Sequence, residues 1–154
     1  MHLPREYDHQ RVIEYDLPGN WRVVVGKTAR DNDWLSIKFA QPQDWWFHVQ
    51  SLPGSHTLLL ARETLDPDRD TLYLAAKLAA YHSKARSAGV VPVSYTRAAY
   101  VTKPKGAKDG TVKIRKESVL KVRPTTPDEA ATMTVHYPKQ RKQISRHLHD
   151  QTKP

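Results

Sequence analysis

Three short stretches of the 154-residue chain hold side chains able to do chemistry. Asp44-Trp45-Trp46-Phe47-His48 is followed closely by Gly54-Ser55-His56, and His82 lies further on. A carboxylate with two imidazoles suits a metal site or an acid–base set. Asp44, His48 and His56, with His82 as a fourth member, therefore define one reading, a small metal-dependent nuclease or RNA-modifying hydrolase. Against it, the spacing matches no metal motif, and the second carboxylate of a two-metal nuclease is not evident. A triad built on Ser55 is equally unsupported, because Gly54-Ser55-His56 lacks the elbow pattern that presents a nucleophilic serine. The plainer assignment has Asp44 capping a turn, Trp45 and Phe47 filling a core, and the histidines satisfying buried polar groups. On that assignment no catalysis, metal or other cofactor is expected. The Gly54-Ser55 turn has a further use, as a source of backbone and hydroxyl donors for a phosphate.

Residues suited to anions are more numerous. The formal net charge is +9 and the sequence pI is about 9.8. Residues 1–70 hold 8 Lys/Arg against 11 Asp/Glu, whereas residues 71–154 hold 17 against 5, so the excess lies in the second half. Such asymmetry points to a polyanionic partner. Its centre is Arg97 to Arg123, where Arg97, Lys103, Lys105, Lys108, Lys113, Arg115, Lys116, Lys121 and Arg123 face only two acids. Lys113 and Arg115 alternate along one strand and share a face. The loop Lys103-Pro104-Lys105-Gly106-Ala107-Lys108-Asp109-Gly110 brings glycine flexibility and lysine charge to phosphates. Tyr95 and Tyr100 flank Arg97, and rings among cations can stack unpaired bases, which favours RNA over duplex DNA. An anionic membrane is a poorer partner, since no amphipathic basic helix carries Trp, Phe or Leu opposite its charges. A protein-interaction adaptor on a ribosomal complex is the remaining alternative.

The elements that must position these residues form a coarse β-β-α-β-β-α-β-β-β series, an α+β domain over residues 10–124. Strands are expected at Arg11–Leu17, Trp21–Val25, Trp45–Val49, His56–Ala61, Val90–Thr96, Thr111–Arg115 and Val119–Val122. Pro92 suggests an edge or strand-end position. A short helix, Trp34–Ala40, is expected behind Asp31-Asn32-Asp33. One long helix runs from Thr71 to about Ser87 behind an Asp70 cap, with Leu74, Leu78, Tyr81 and Ala85 as its core stripe. Ala75, Ala76, Ala79 and Ala80 allow close packing on a mixed or antiparallel sheet. Lys77 and Lys84 are seven apart, share a helix face and extend the basic surface. Residues 1–9 read as an arm. Residues 125–154 read as a basic flexible tail with a possible short helix at Asp128–Met133. Cysteine is absent, which excludes disulfides and thiolate metal sites and suits a reducing cytosol. No run of about 18 apolar residues appears and the N-terminus is charged, so a soluble cytoplasmic protein is expected.

The stretches Gly26-Lys27-Thr28-Ala29-Arg30-Asp31-Asn32-Asp33, Asp44-Trp45-Trp46-Phe47-His48-Val49 and Pro53-Gly54-Ser55-His56 together resemble the NFACT-R domain family. Residues 75–86, Val93-Ser94-Tyr95-Thr96, Val101-Thr102-Lys103-Pro104-Lys105-Gly106 and Gly110-Thr111-Val112 continue the resemblance in order over about residues 10–124. It implies that Asp44, Trp46, His48, Gly54, Ser55 and His56 are signature positions of a nucleic-acid-binding module. It also implies partners in the translation machinery: tRNA or ribosomal RNA, with the large ribosomal subunit, while DNA stays open because some relatives bind it. Full-length members carry further N-terminal, helix-hairpin-helix and coiled-coil regions. The chain as given resembles a stand-alone version, so their addition of tails to stalled nascent chains is not expected to carry over.

Overall fold

Val23, Val24 and Val25 are consecutive and all fully buried, and a strand apolar on both sides needs cover on both faces of its sheet. The computed structural model, which describes residues 5–136, supplies both covers. Its main sheet contains β1 (Val12–Leu17), β2 (Trp21–Gly26), β3 (Trp45–Val49), β4 (Thr57–Leu59), β5 (Val91–Arg97) and β8 (Ser118–Val122). Their order is β1-β2-β4-β3-β5-β8, and every neighbouring pair is antiparallel. The fold is α+β with an antiparallel sheet, one of the two arrangements expected. Gly19 and Asn20 take left-handed backbone angles (φ 89° and 66°) in the β1–β2 hairpin, where the chain must reverse tightly.

One face lies under α2 (Arg69–Tyr81), whose Ala75, Ala76, Leu78, Ala79 and Ala80 are buried. They join Val23, Val25, Phe47, Leu59 and Val93 in one core. Small side chains let the helix axis approach the sheet, so the alanine face packs innermost while Leu74 and Tyr81 of the expected stripe are only partly buried. Two boundaries differ from expectation. Asp68, not Asp70, caps α2, accepting from Thr71 N–H at 2.9 Å. The helix stops at Tyr81, not Ser87, because Ser83 leaves it to bridge Gly54 of the β3–β4 loop.

On the other face Val24, Trp46 and Leu58 form a second core with Leu35, Val101, Val112 and Ile114. The cover here is α1 (Ala29–Asp33), the π-helical turn Trp34–Phe39, and a two-stranded ribbon of β6 (Val101–Thr102) and β7 (Lys113–Ile114). The expected helix Trp34–Ala40 is thus the π-wound continuation of a helix that begins earlier. Thr28 is its cap, accepting from Asp31 N–H at 3.1 Å, and Ala40 N–H reaches back five residues to Leu35 O. Strand β6 was not expected, and of Thr111–Arg115 only Lys113–Ile114 is strand. Pro92 is the second residue of β5, an internal strand, which fits a strand end and not an edge.

The folded unit extends past both expected limits. Residues 5–9 are held down: Arg5 forks onto Asp44, and Tyr7 bonds Glu14. Beyond Pro124, α3 (Pro127–Met133) begins with a Thr126/Glu129 capping box and buries Ala130 in the α2-side core. Thr134 then bridges Tyr15, and Val135 N–H donates to Glu14 O, along the free side of β1. Residues 137–154, including the rest of the expected tail, lie outside the described residues.

Candidate nucleic-acid interface

Alternation along β3 separates the aromatic signature into two sets. Phe47 points to the α2 side and stacks on Tyr95, while Trp46 and His48 point to the ribbon side. Trp46 Nε1–H donates to Ser36 Oγ at 2.8 Å, and Ser36 Oγ lies 2.7 Å from His56 Nδ1. His56 Nε2 lies 3.0 Å from Gly110 O. A carbonyl only accepts, so Nε2 carries the proton, Nδ1 accepts, and the Ser36 hydroxyl donates to it. The chain Trp46–Ser36–His56–Gly110 is therefore fully satisfied. His56 is buried, and burial together with nearby His48 lowers its pKa to about 4, so the ring is neutral at pH 7. Its own N–H donates to Asn32 Oδ1, and Asn32 fills the space above Gly26, where a Cβ would lie 2.1 Å from that same oxygen.

His48 stacks on Trp46, with planes 13° apart and centroids 5.9 Å apart. Both of its nitrogens face carbonyls, Val49 O at 2.5 Å and Gly54 O at 3.1 Å. His82 Nε2 lies 2.6 Å from the Tyr15 hydroxyl, on the α2 side; burial first, then the Arg86 charge, lowers its pKa to about 4. Asp44 is fully buried at the start of β3, and its carboxylate accepts from Arg5, from Gln41 N–H at 2.8 Å and from Ala61 N–H at 2.7 Å. Asp44, His48, His56 and His82 are thus each held by separate partners. Among the described residues no three His, Asp or Glu are placed to hold a metal ion. Asp44 does cap a turn, as the plainer assignment has it.

At the Gly54-Ser55 turn one of the expected backbone donors is already taken. Ser55 N–H donates to His82 O at 2.9 Å, and a Cβ at Gly54 would lie 2.8 Å from Ser83 Cβ. This glycine permits a close approach of loop and helix end.

The expected cations divide into groups. Lys103 is structural: it pairs with Asp33 at 3.1 Å and donates to the carbonyls of Lys108 and Thr111, closing its own loop. Gly110 N–H also donates to Asp33, at 3.0 Å, so the loop is pinned to α1 while Gly110 O meets His56. Lys105, Lys108, Lys113 and Arg115 project from this anchored ribbon and are exposed, as is Lys116. Arg115 and Lys116 lie over Tyr100, 5.2 and 5.1 Å from its centroid. Arg97 lies 3.9 Å over Trp45 and donates to Gln43 O, so part of its role is packing. Tyr95 is partly buried on the α2 side, packed against Phe47 and Trp45 and away from the ribbon. Lys77 sits on α2, beyond the opposite face of the sheet and near Glu129, so it does not extend the ribbon's surface. Lys84 follows α2 and its N–H donates to Pro53 O, beside the turn that holds His48.

Between the ribbon and the sheet lies a cleft of about 500 Å³, lined among others by Trp46, His48, His56, Ser94, Thr111 and Ile114. Signature residues, a basic ribbon and one cleft thus share one side of the sheet. The profile of the NFACT protein RNA binding domain matches residues 11–116. The chain belongs to that family. The Rqc2 homolog RqcH of Bacillus subtilis (strain 168) is 37% identical over 78% of this chain. The protein of the same description from Streptococcus suis (strain 05ZYH33) is 40% identical over 70% of it. The chain spans about a fifth of the length of these relatives, 21% and 19% respectively. The solved C-terminal part of the fibronectin/fibrinogen-binding protein from Streptococcus suis superposes with a TM-score of 0.76 at 34% identity, covering 88% of this chain and 54% of that one.

Asn32, Ser36 and Gly110 are site residues that sequence reasoning did not single out. Asn32 and Gly110 stand within the motifs that carry the family resemblance, so a signal for them existed. Ser36 sits in a π-helical turn among Trp, Leu and Ile, with nothing local to mark it.

Proposed function

We propose that this domain binds RNA of the translation machinery, tRNA or ribosomal RNA, through the ribbon side of its sheet. It serves there as a non-catalytic cytoplasmic module in ribosome quality control, with the large ribosomal subunit as a partner. The observation that carries this reading is the ribbon itself. Lys103 and Gly110 are locked onto Asp33, which leaves Lys105, Lys108, Lys113 and Arg115 exposed on a fixed scaffold. Fixed cations bind phosphate with less ordering cost than a floppy loop would. A His56 general base would need a free accepting nitrogen, and its Nδ1 is taken up by the Ser36 hydroxyl.

The test is RNA affinity measured as a function of salt. Lys105→Ala with Lys108→Ala should weaken binding and flatten the slope of log K against log salt by roughly one to two units, since each lost phosphate contact removes nearly one released counterion. Unchanged affinity and slope would take the ribbon out of the interface.

A further inference from the structure

The cleft under the ribbon holds about 500 Å³, within the size range of cavities that take one small ligand. Its inner lining includes the half-buried His48 ring, stacked parallel on the buried Trp46, together with Val112 and Ile114. His56 is buried with both ring nitrogens bonded, so His48 is the imidazole that offers ring surface to the cleft. Hydrogen-bonding capacity comes instead from Gln50, Ser51 and Thr111, all three exposed and all lining the cleft. Lys113 and Arg115 flank the cleft residue Ile114 in sequence and are exposed. A flat slot, polar side chains able to read an edge and adjacent cations match the three parts of a nucleotide: base face, base edge and phosphate.

The sheet continues this surface. His48 pairs with Ser94, and Ser94 with Val119, so the three share a row on the ribbon side. Val119 is 44% exposed at the outer strand, and Lys121 follows it on the same face. A strand leaving the cleft across β5 and β8 would therefore meet an apolar side chain and then a charge. A base stacked and paired within a duplex cannot present its faces to such a slot.

We propose that this cleft takes one unpaired nucleobase of the bound RNA, with flanking phosphates on Lys113 and Arg115. This rests on the RNA-binding reading above and makes it narrower: the domain selects RNA with an extruded or single-stranded base. The test uses the full chain and two RNAs, a plain duplex and the same duplex with one bulged 2-aminopurine. Affinity is measured at fixed salt, with 2-aminopurine fluorescence as the reporter of stacking. The bulged RNA should bind about tenfold tighter, the worth of one stacked base, and its fluorescence should fall on binding. Thr111→Trp, which fills the cleft from an exposed position, and His48→Leu, which removes the platform, should each bring the bulged RNA down to the duplex level.

Equal affinity for the two RNAs, a bulge that stays bright when bound, or a preference that survives Thr111→Trp would each overturn the base pocket while leaving RNA binding in place. No binding to either RNA at about 50 mM salt, where phosphate contacts are strong, would overturn both readings.

Discussion

His56 shows how much a single side chain can be asked to hold. Its two ring nitrogens and its backbone N–H tie together Ser36, Gly110 and Asn32, residues on the π-helical turn, the ribbon loop and α1. Ser36→Ala would leave His56 Nδ1 and the Trp46 indole N–H buried without partners. Each such orphan costs about 1–3 kcal/mol, so a loss of roughly 2–3 kcal/mol is expected from urea midpoints at constant m. A loss under about 0.5 kcal/mol, the size of an ordinary surface change, would show that the chain of bonds is not needed. The same burial makes the fold sensitive to acid. His56 and His82 titrate near pH 4 when folded, against about 6.5 in an unfolded chain. Between those values the unfolded chain binds protons that the native state does not, so their contribution is complete above about pH 6.5 and falls away as the pH drops toward 4. Urea midpoints at pH 7, 6 and 5 should decline in step, and His82→Gln should make the decline shallower. A flat profile would mean that the imidazoles are not desolvated as the geometry shows.

At the scale of elements, the ribbon β6–β7 is the piece that turns a sheet face into a cleft. It is short, and only four residues pair within it. Its position depends on Asp33, which takes both Lys103 and the Gly110 N–H. Asp33→Ala should therefore loosen the whole 103–111 loop, with amide exchange there rising well ahead of the main sheet, while RNA affinity falls even though no exposed cation has been removed. Protection of that loop unchanged from the native chain would assign its anchoring elsewhere. The main strands and α2 were legible from their sequences, because β-branched runs and a capped alanine-rich helix speak for themselves. The ribbon was not. Val101–Thr102 has no periodicity to read, and its pairing with Lys113–Ile114 spans a loop whose closure uses a side chain from α1.

For the molecule as a whole, the sheet has two covers of different kinds. The α2 side is closed by helices, and α3 completes it by burying Ala130 and lining the free side of β1 with Thr134 and Val135. A chain ending at residue 124 should unfold several degrees below one ending at 136, as loss of about 2 kcal/mol would require in a domain of this size. Equal midpoints would return α3 to the status of a tail. The ribbon side is closed only in part, and Lys105, Lys108, Lys113 and Arg115 project there.

What the sequence by itself determined is what depends on near neighbours and on totals: the α+β class, the strands, the basic second half, and the motif order that marks the family. What only the tertiary structure decided is which of those residues are free. Lys103 and Lys105 are alike as letters, yet one is spent on Asp33 and the other faces solvent. Asp44 and His48 stand four positions apart, yet one is sealed by Arg5 and the other forms a wall of the cleft. A hydrogen bond or an ion pair uses up a group through partners that are distant in sequence. Availability for function is therefore a property of the folded chain and not of its local pattern.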